Sequence, residues 1–288
     1  MKKAFKIIGG IIGITLLGII VLGNIAKIIT KPMLEKSTER TEFAQMIERV
    51  DRSCPIPAAL GKGAVTGVKL EEGYVTYYLS YDPDYTNLLG KLKNDSKMKE
   101  GLLMCILCVN AQGNNNGDLV MDLLERQNCG LKIIITESAI GSFEIKATVD
   151  EIHSLRERYD LNPHEALYNL LLLRVESEKE ELPVEVDEGM YVTNYSLEGE
   201  NIVIYTQMDE NIYSLESLYE NQNVIKNVMM EEAISDPGSK ALFDLCKVSH
   251  SGLVYRLSGN ISKESFDIVI SSDEIRRNVP TPANACIQ

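Results

Sequence analysis

The feature that most constrains the fold of this chain is an internal duplication of its body. Seven identities recur at an offset of 127 residues, and further identities follow after a five-residue shortening. The shortening occurs where the first copy has residues 112–117 and the second copy has the shorter segment 235–238. Both segments have the composition of loops, and surface loops tolerate such length changes. We therefore predict two tandem copies of one folding unit. The seven identities pair Val65, Thr66, Leu70, Glu71, Tyr78, Asp82 and Lys99 with Val192, Thr193, Leu197, Glu198, Tyr205, Asp209 and Lys226.

Each copy carries the same succession of signals. A helix opens it, at 42–50 and 165–175, and two strands with alternating apolar residues follow a proline-marked loop. The turns Glu72-Gly73 and Gly199-Glu200 have the composition of tight hairpins. Two further helices and a second hairpin complete an α-β-β-α-α-β-β unit.

These signals predict an α+β fold with two tandem repeats and antiparallel sheets. The repeats occupy 36–158 and 159–288. The later series of identities pairs Gly130 with Gly252 and Glu151 with Glu274. Each glycine comes just after a predicted helix, where a left-handed residue is favoured, so both are predicted to be helix stops with positive φ.

An uncharged stretch from Ile7 to Ala26 precedes the body, with lysines on both sides. Twenty helical residues cover the roughly 30 Å hydrocarbon core of a bilayer. A cleaved signal peptide is the alternative, but its apolar region is usually shorter. We predict an N-terminal transmembrane helix within a membrane anchor at 1–35, in contact with the membrane through residues 7–29. The basic tail predicts a single-pass protein of the bacterial inner membrane, with its body in the periplasm.

Composition excludes one class of partner. The chain has 29 Lys and Arg against 42 Asp and Glu, a net charge of −13, and no tryptophan. A nucleic-acid-binding surface needs an excess of basic side chains, so we predict no nucleic-acid partner.

The sharpest enzymatic motif is Asp82-Pro83-Asp84-Tyr85-Thr86, directly after an apolar strand. Phosphatases of the haloacid dehalogenase type place Asp-x-Asp-x-Thr there, with the first Asp as nucleophile and the second as acid and base. The second copy retains only Asp209 from this motif, and the preceding strand belongs to a hairpin, whereas those enzymes need a parallel sheet. A capping or turn role for Asp82 is the favoured interpretation.

Other candidate chemistries lack their companion residues. Cys105 and Cys108 have redox or zinc spacing, but they lie in an apolar helix without a second pair, which favours buried structural thiols. Ser96 and Lys99 have the spacing of a Ser–Lys acylase pair without its other motifs. The acidic run 176–181 is typical of a solvated helix end. We therefore predict no metal site and no cofactor.

The Cys54-Pro55-Ile56 start, the strand Gly63–Glu71, the strand end at Asp82 and the hairpin Gly252–Arg256 resemble uncharacterised membrane-anchored or exported proteins of Bacteroidota-type bacteria. The resemblance covers about residues 54–277. It implies export or anchoring, and it transfers no catalytic or binding residue.

The sequence thus favours a membrane-tethered envelope protein whose duplicated body is a non-catalytic module for a protein or small-molecule partner. The alternative is a periplasmic, phosphatase-like hydrolase that uses Asp82 and Asp84.

Overall fold

A computed structural model of the chain describes residues 40–57, 63–81, 83–107, 116–235 and 237–278. The predicted span at 7–29 lies outside them. Within the described ranges, no helix is both long enough and apolar enough to cross a bilayer.

The structure divides into two compact units, one ending at Leu173 and the other beginning at Arg174. The helices of the first unit are α1 (Arg40–Arg52), α2 (Thr86–Asn94), α3 (Ser96–Leu107), α4 (Asn116–Arg126), α5 (Val149–Leu161) and most of α6 (Pro163–Glu178). Its strands are β1 (Ile56–Pro57), β2 (Gly63–Glu71), β3 (Tyr74–Tyr81), β4 (Gly130–Glu137) and β5 (Gly141–Ala147).

The second unit contains the same kinds of element in the same order. Its helices are α7 (Leu215–Glu220), α8 (Gln222–Ser235), α9 (Pro237–Ser249) and α10 (Ser272–Asn278). Its strands are β6 (Val184–Asp187), β7 (Met190–Glu198), β8 (Asn201–Met208), β9 (Gly252–Gly259) and β10 (Ser265–Ile270).

Each unit is built on one five-stranded sheet, in the orders β1-β2-β3-β4-β5 and β10-β9-β8-β7-β6. The α+β class and the predominance of antiparallel pairing agree with the sequence. The prediction of purely antiparallel, four-stranded sheets was wrong. Strands β3 and β4 run parallel, as do β8 and β9, and the short strands β1 and β6 add a fifth member to each sheet.

The parallel pairs have a topological cause. Between β3 and β4 the chain passes through α2, α3 and α4, and this connection returns it to the end of the sheet from which β3 began. Sequence patterns specified the two hairpins, but not how one hairpin lies beside the other.

The predicted hairpin turns are confirmed. Glu72 and Gly73 have φ of 52° and 82°, the left-handed pair required by a type I′ turn. Gly199 has φ of 59°, and its turn joins Glu198 to Asn201. A bulge interrupts β2 between Val65 and Gly67, and another interrupts β7 at the corresponding place.

The predicted role of Gly130 and Gly252 was wrong. Both are the first residues of strands, and the left-handed residues lie two positions earlier, at Asn128 (φ 50°) and His250 (φ 54°). The glycines are needed for space, because a Cβ on Gly130 would lie 2.6 Å from the carbonyl oxygen of Ala147.

The opening helices also agree with prediction. Helix α1 buries Phe43, Met46, Ile47 and Val50 on one face. The Asp51 carboxylate at its end accepts a hydrogen bond from the Val68 N–H at 2.9 Å. This contact satisfies a backbone donor on β2, beyond the stretch that pairs with the short β1.

Candidate functional site

A groove of about 480 Å³ lies in the first unit between α3, β5 and α5. Its volume is within the range of small-molecule and peptide sites. Twelve residues line it: Ser96, Lys99, Glu100, Leu103, Glu144, Ile145, Lys146, Ala147, Glu151, Ser154, Leu155 and Arg158.

The groove has an apolar floor and a charged rim. Leu103, Ile145, Ala147 and Leu155 are buried. Strand alternation explains part of this division, because successive residues of β5 point to opposite faces. Glu144 and Lys146 are accordingly exposed between the buried positions.

Two local signals fix the helices that form the walls. The Asp95 carboxylate accepts the N–H groups of Lys97 (2.8 Å) and Met98 (3.2 Å), which starts α3. Thr148 and Glu151 form a capping box at the start of α5, with Glu151 accepting the Thr148 N–H at 2.7 Å.

Helix α3 is held close to α6 by a residue without a side chain. A Cβ on Gly101 would collide with the backbone carbonyl of Asn169, so the two helices approach at this point in a way only glycine allows. The Asn169 amide donates to Glu100 at 2.9 Å, which adds a polar link beside that contact.

Most charges in the rim are already neutralised. Arg158 lies 3.1 Å from Glu100, and Lys146 lies 3.5 Å from Glu144. The Glu151 carboxylate is engaged by the end of its own helix.

Lys99 is the exception. Among the described residues, it takes part in no ion pair, although it lines the groove and is only partly exposed. Lys226, which the internal repeat pairs with Lys99, lies 2.6 Å from Glu274. Lys99 in the groove therefore differs from its counterpart Lys226, which forms an ion pair with Glu274 in the second unit.

The strand that borders the groove, β5, is an edge strand of its sheet. β5 is the last strand of its sheet and pairs only with β4 within the described structure. In an antiparallel ladder, alternate residues of an edge strand direct their N–H and C=O groups away from the neighbour. Backbone donors and acceptors are thus available next to Lys99.

The last strand of the second sheet, β10, contributes to an aromatic pair. The ring of Tyr219 on α7 packs edge-on against Phe266 on β10, with 5.6 Å between ring centroids. Lys226 and Glu274 also join α8 to α10 beside it.

One charged cluster lies on the second sheet. Arg256 lies between Glu198 (3.2 Å) and Asp267 (3.0 Å), and the Tyr205 hydroxyl hydrogen-bonds to Glu198. The Tyr205 hydrogen bond and the Arg256 charge hold the pKa of Glu198 below its usual range. This cluster pairs one guanidinium with two carboxylates, so Arg256 has no free charge to offer an anionic ligand.

The interpretation of 176–181 as a solvated helix end was wrong in part. Glu178 is largely buried and lies 2.5 Å from Arg174, itself 3% exposed. The cavity beside this pair has a volume of about 20 Å³, enough for one water molecule and too small for an organic ligand.

The structure brings only some of the motif residues to the groove. Ser96 and Lys99 both line it. Asp82 and Cys108 lie outside the described residues, and Asp84 belongs to the short 3₁₀ helix Pro83–Tyr85. Cys105 is a buried free thiol in α3.

Asp209, the repeat partner of Asp82, organises a turn after β8. Its carboxylate accepts the Asn211 N–H at 3.0 Å, which holds the pKa of Asp209 below its usual range. Within the described part of the chain, no group of three His, Cys, Asp or Glu residues converges as a metal site. Sequence analysis missed the groove, because its walls come from elements about fifty residues apart.

Comparison with known proteins yields little. No protein-family model matches the chain, and no curated protein matches it. Among solved structures, a Pseudomonas aeruginosa protein described as secreted is similar over 37% of this chain and 90% of its own, with 13% identity and a TM-score of 0.31. A likeness at that level carries no argument about function.

Proposed function

We propose that this protein is a membrane-tethered, non-catalytic binding module of the bacterial envelope, and that the groove between α3, β5 and α5 is its binding site. The single observation that carries the proposal is the position of Lys99. Its ammonium group lacks an ion-pair partner within the described residues, and it stands over an apolar floor in a groove of ligand-binding size.

The tether rests on the sequence. The uncharged stretch Ile7–Ala26, with Lys2, Lys3 and Lys6 before it, has the length and flanks of a membrane anchor. We expect protease added to spheroplasts to digest the body and to leave the short basic tail protected. Protection of the body until the cells are lysed would place it in the cytoplasm and contradict this part of the proposal.

A photo-crosslinking amino acid tests the groove as the binding site. Benzoylphenylalanine replaces the exposed Ser154, which lines the groove, in the full-length protein expressed in its native host. Arg277 provides the matched control, because the repeat places it at the corresponding position of α10. We expect ultraviolet light to produce a covalent adduct, visible by intact mass, from position 154 and not from position 277. Adducts from 277 alone, or from neither position, would contradict the assignment.

The two units are proposed to be copies of one ancestral unit that have diverged in this respect. The shared strand order, the matching bulges in β2 and β7, and the equivalent Tyr78–Glu71 and Tyr205–Glu198 hydrogen bonds support common origin. In this proposal the first copy retains the binding site, and the second copy has closed its own with the Lys226–Glu274 ion pair.

A second candidate is phosphatase-like hydrolysis by Asp82 and Asp84. One feature favours it: β3 and β4 are parallel, and position 82 follows the end of β3, where ligands bind in α/β sheets. A magnesium-dependent phosphatase assay on the wild type and on Asp82→Asn tests this alternative. Activity that disappears in a folded Asp82→Asn protein would replace the binding proposal, and equal values for both proteins would eliminate hydrolysis by Asp82.

A further inference from the structure

We infer that the groove binds an extended peptide segment that adds as a strand to the edge of β5 and places a carboxylate beside Lys99. This inference rests on the proposed function and specifies the ligand class. It combines two independent features of the described residues, a strand edge with no neighbouring strand and a cation with no ion-pair partner.

The first feature is the edge itself. β5 contains seven residues and is paired along its length with β4, from Leu131–Ala147 to Glu137–Gly141. An edge of this length offers several N–H and C=O groups to an incoming strand, and such main-chain hydrogen bonds give affinity in many peptide-binding domains. Edge strands that remain open in stable proteins need protection, and a bound partner is one form of it.

The second feature supplies the charge requirement. Glu144 and Lys146, on the edge strand, neutralise each other at 3.5 Å, and Arg158 is engaged by Glu100. A ligand that brings one carboxylate would pair with Lys99 and leave the Lys146–Glu144 and Arg158–Glu100 ion pairs intact. A ligand that brings a cation would meet the lysine with like charge.

The floor supplies the side-chain requirement. Leu103 and Leu155 face the groove from the two helices, and both are buried among apolar neighbours. An extended strand directs alternate side chains to one face. The peptide is therefore expected to alternate, with apolar or β-branched residues toward the floor and the carboxylate toward Lys99.

The second unit offers the internal contrast. Its lysine, Lys226, is already paired with Glu274. Only the first unit is expected to accept a peptide.

A random octapeptide library displayed on phage is the probe, selected against the full-length protein in detergent. We expect enriched sequences to share an acidic residue within an alternating apolar pattern. Synthetic copies are then measured by fluorescence anisotropy. Lys99→Gln should weaken binding about tenfold, as should replacing the acidic residue of the peptide by its amide, and the two losses should not add.

Lys226→Gln is the matched control and should bind as the wild type does. Methylation of alternate backbone nitrogens of the peptide tests the strand addition without altering the protein. One set of alternate positions should abolish binding, and the other set should leave it unchanged.

Absence of enrichment over a bare surface would overturn the inference, as would peptides whose binding ignores Lys99→Gln or both methylation patterns. The crosslinking experiment at Ser154 distinguishes the proposal that the groove is a binding site from the inference that its ligand is a peptide. Adducts at position 154 without any peptide selection would retain the binding module and reject the peptide, whereas failure of both would reject the module as well.

Discussion

Lys226 Nζ lies 2.6 Å from Glu274 Oε1, and this ion pair joins helix α8 to helix α10. Glu274 also accepts hydrogen bonds from the N–H and hydroxyl of Ser271, both at 2.9 Å, as the acidic member of a capping box. The hydrogen bond from Lys226 is the main reason that the pKa of Glu274 falls to about 2.

Removing this ion pair should cost stability in a pH-dependent way. We expect Lys226→Gln to lower the free energy of unfolding by about 1 kcal/mol at pH 7, because the pair is partly exposed. The folded-state pKa of Glu274 is depressed, so its contribution is complete above about pH 4.5 and is lost as the pH falls toward 2. Urea denaturation at pH 7, 5 and 3 measures the difference between the proteins, and an equal difference at all three values would contradict the assignment. Lys99→Gln should show no such loss.

Gly130 should not tolerate a methyl group. The added Cβ would lie 2.6 Å from the Ala147 carbonyl oxygen and 2.5 Å from the Tyr74 ring, and the carbonyl belongs to a paired strand that cannot easily move. We expect Gly130→Ala to destabilise the protein by about 1 to 3 kcal/mol in chemical denaturation. Gly90→Ala is the control, because Gly90 lies in α2 with open space around it. That change should stabilise by up to about 1 kcal/mol. Similar effects of both changes would show that the steric argument is wrong.

Removing the hydroxyl of Thr76 should increase the stability of the folded protein. Thr76 is fully buried, and its Oγ1 has no hydrogen-bond partner among the described residues. Valine has the same shape without the polar atom, so Thr76→Val should stabilise by about 1 kcal/mol. Thr66→Val should give no such gain, since the Thr66 hydroxyl donates to the Tyr78 carbonyl at 3.2 Å. Thermal unfolding of both variants tests the contrast, and a loss of stability in Thr76→Val would count against it.

The Arg174–Glu178 pair should be costly to break. Glu178→Ala removes a carboxylate from beside a guanidinium that is 3% exposed, which should cost about 3 kcal/mol. Glu48→Ala is the control, because the Glu48–Arg52 pair has the same spacing on an exposed helix face and should contribute less than about 1 kcal/mol. Denaturant midpoints of the two variants test the contrast. Equal losses in both variants would contradict the role of burial.

Thiol reactivity should separate the described cysteines. Burial raises the pKa of Cys54, Cys129 and Cys246, and Cys105 is buried in α3. In a protein carrying Cys108→Ser and Cys286→Ser, we expect Ellman's reagent at pH 8 to modify Cys54 alone before unfolding, because only Cys54 is partly exposed. Rapid modification of more than one thiol in the folded protein would contradict the buried assignments.

Local features of this fold could be predicted from the sequence. The hairpin turn at Glu72-Gly73 depends on residues that are adjacent in the chain. The spacing of Phe43 and Met46 predicts which face of helix α1 is buried. Helix α6 begins at Pro163, and the Asn162 side chain just before it accepts the Glu165 N–H at 3.4 Å, a local pattern that is typical of a helix start.

Features that depend on distant partners could not be predicted. The alternation of apolar residues in β3 and β4 predicts which face of each strand is buried. It does not predict whether the two strands lie parallel or antiparallel, because the same face is buried in both cases. Gly130 looked like a helix stop because it follows one closely, whereas its role comes from Tyr74 and Ala147. The significance of Lys99 emerged only from the ion pairs that the other charged residues of the groove form with one another and from the comparison with Lys226.

The parallel junction between the two hairpins of each sheet has a consequence for how the protein folds. Hairpin β2–β3 and hairpin β4–β5 can each form from neighbouring residues, but β3 meets β4 only across the long connection that contains α2, α3 and α4. Closing this connection costs conformational entropy, and that cost must be met before the contacts Val75–Leu131 and Tyr77–Ile133 at the centre of the sheet can stabilise the structure. Until then, a newly made chain carries two hairpins with apolar edges that fit each other, and they equally fit the hairpins of another copy. Synthesis that outpaces this docking step would therefore yield strand-exchanged aggregates rather than unfolded monomers.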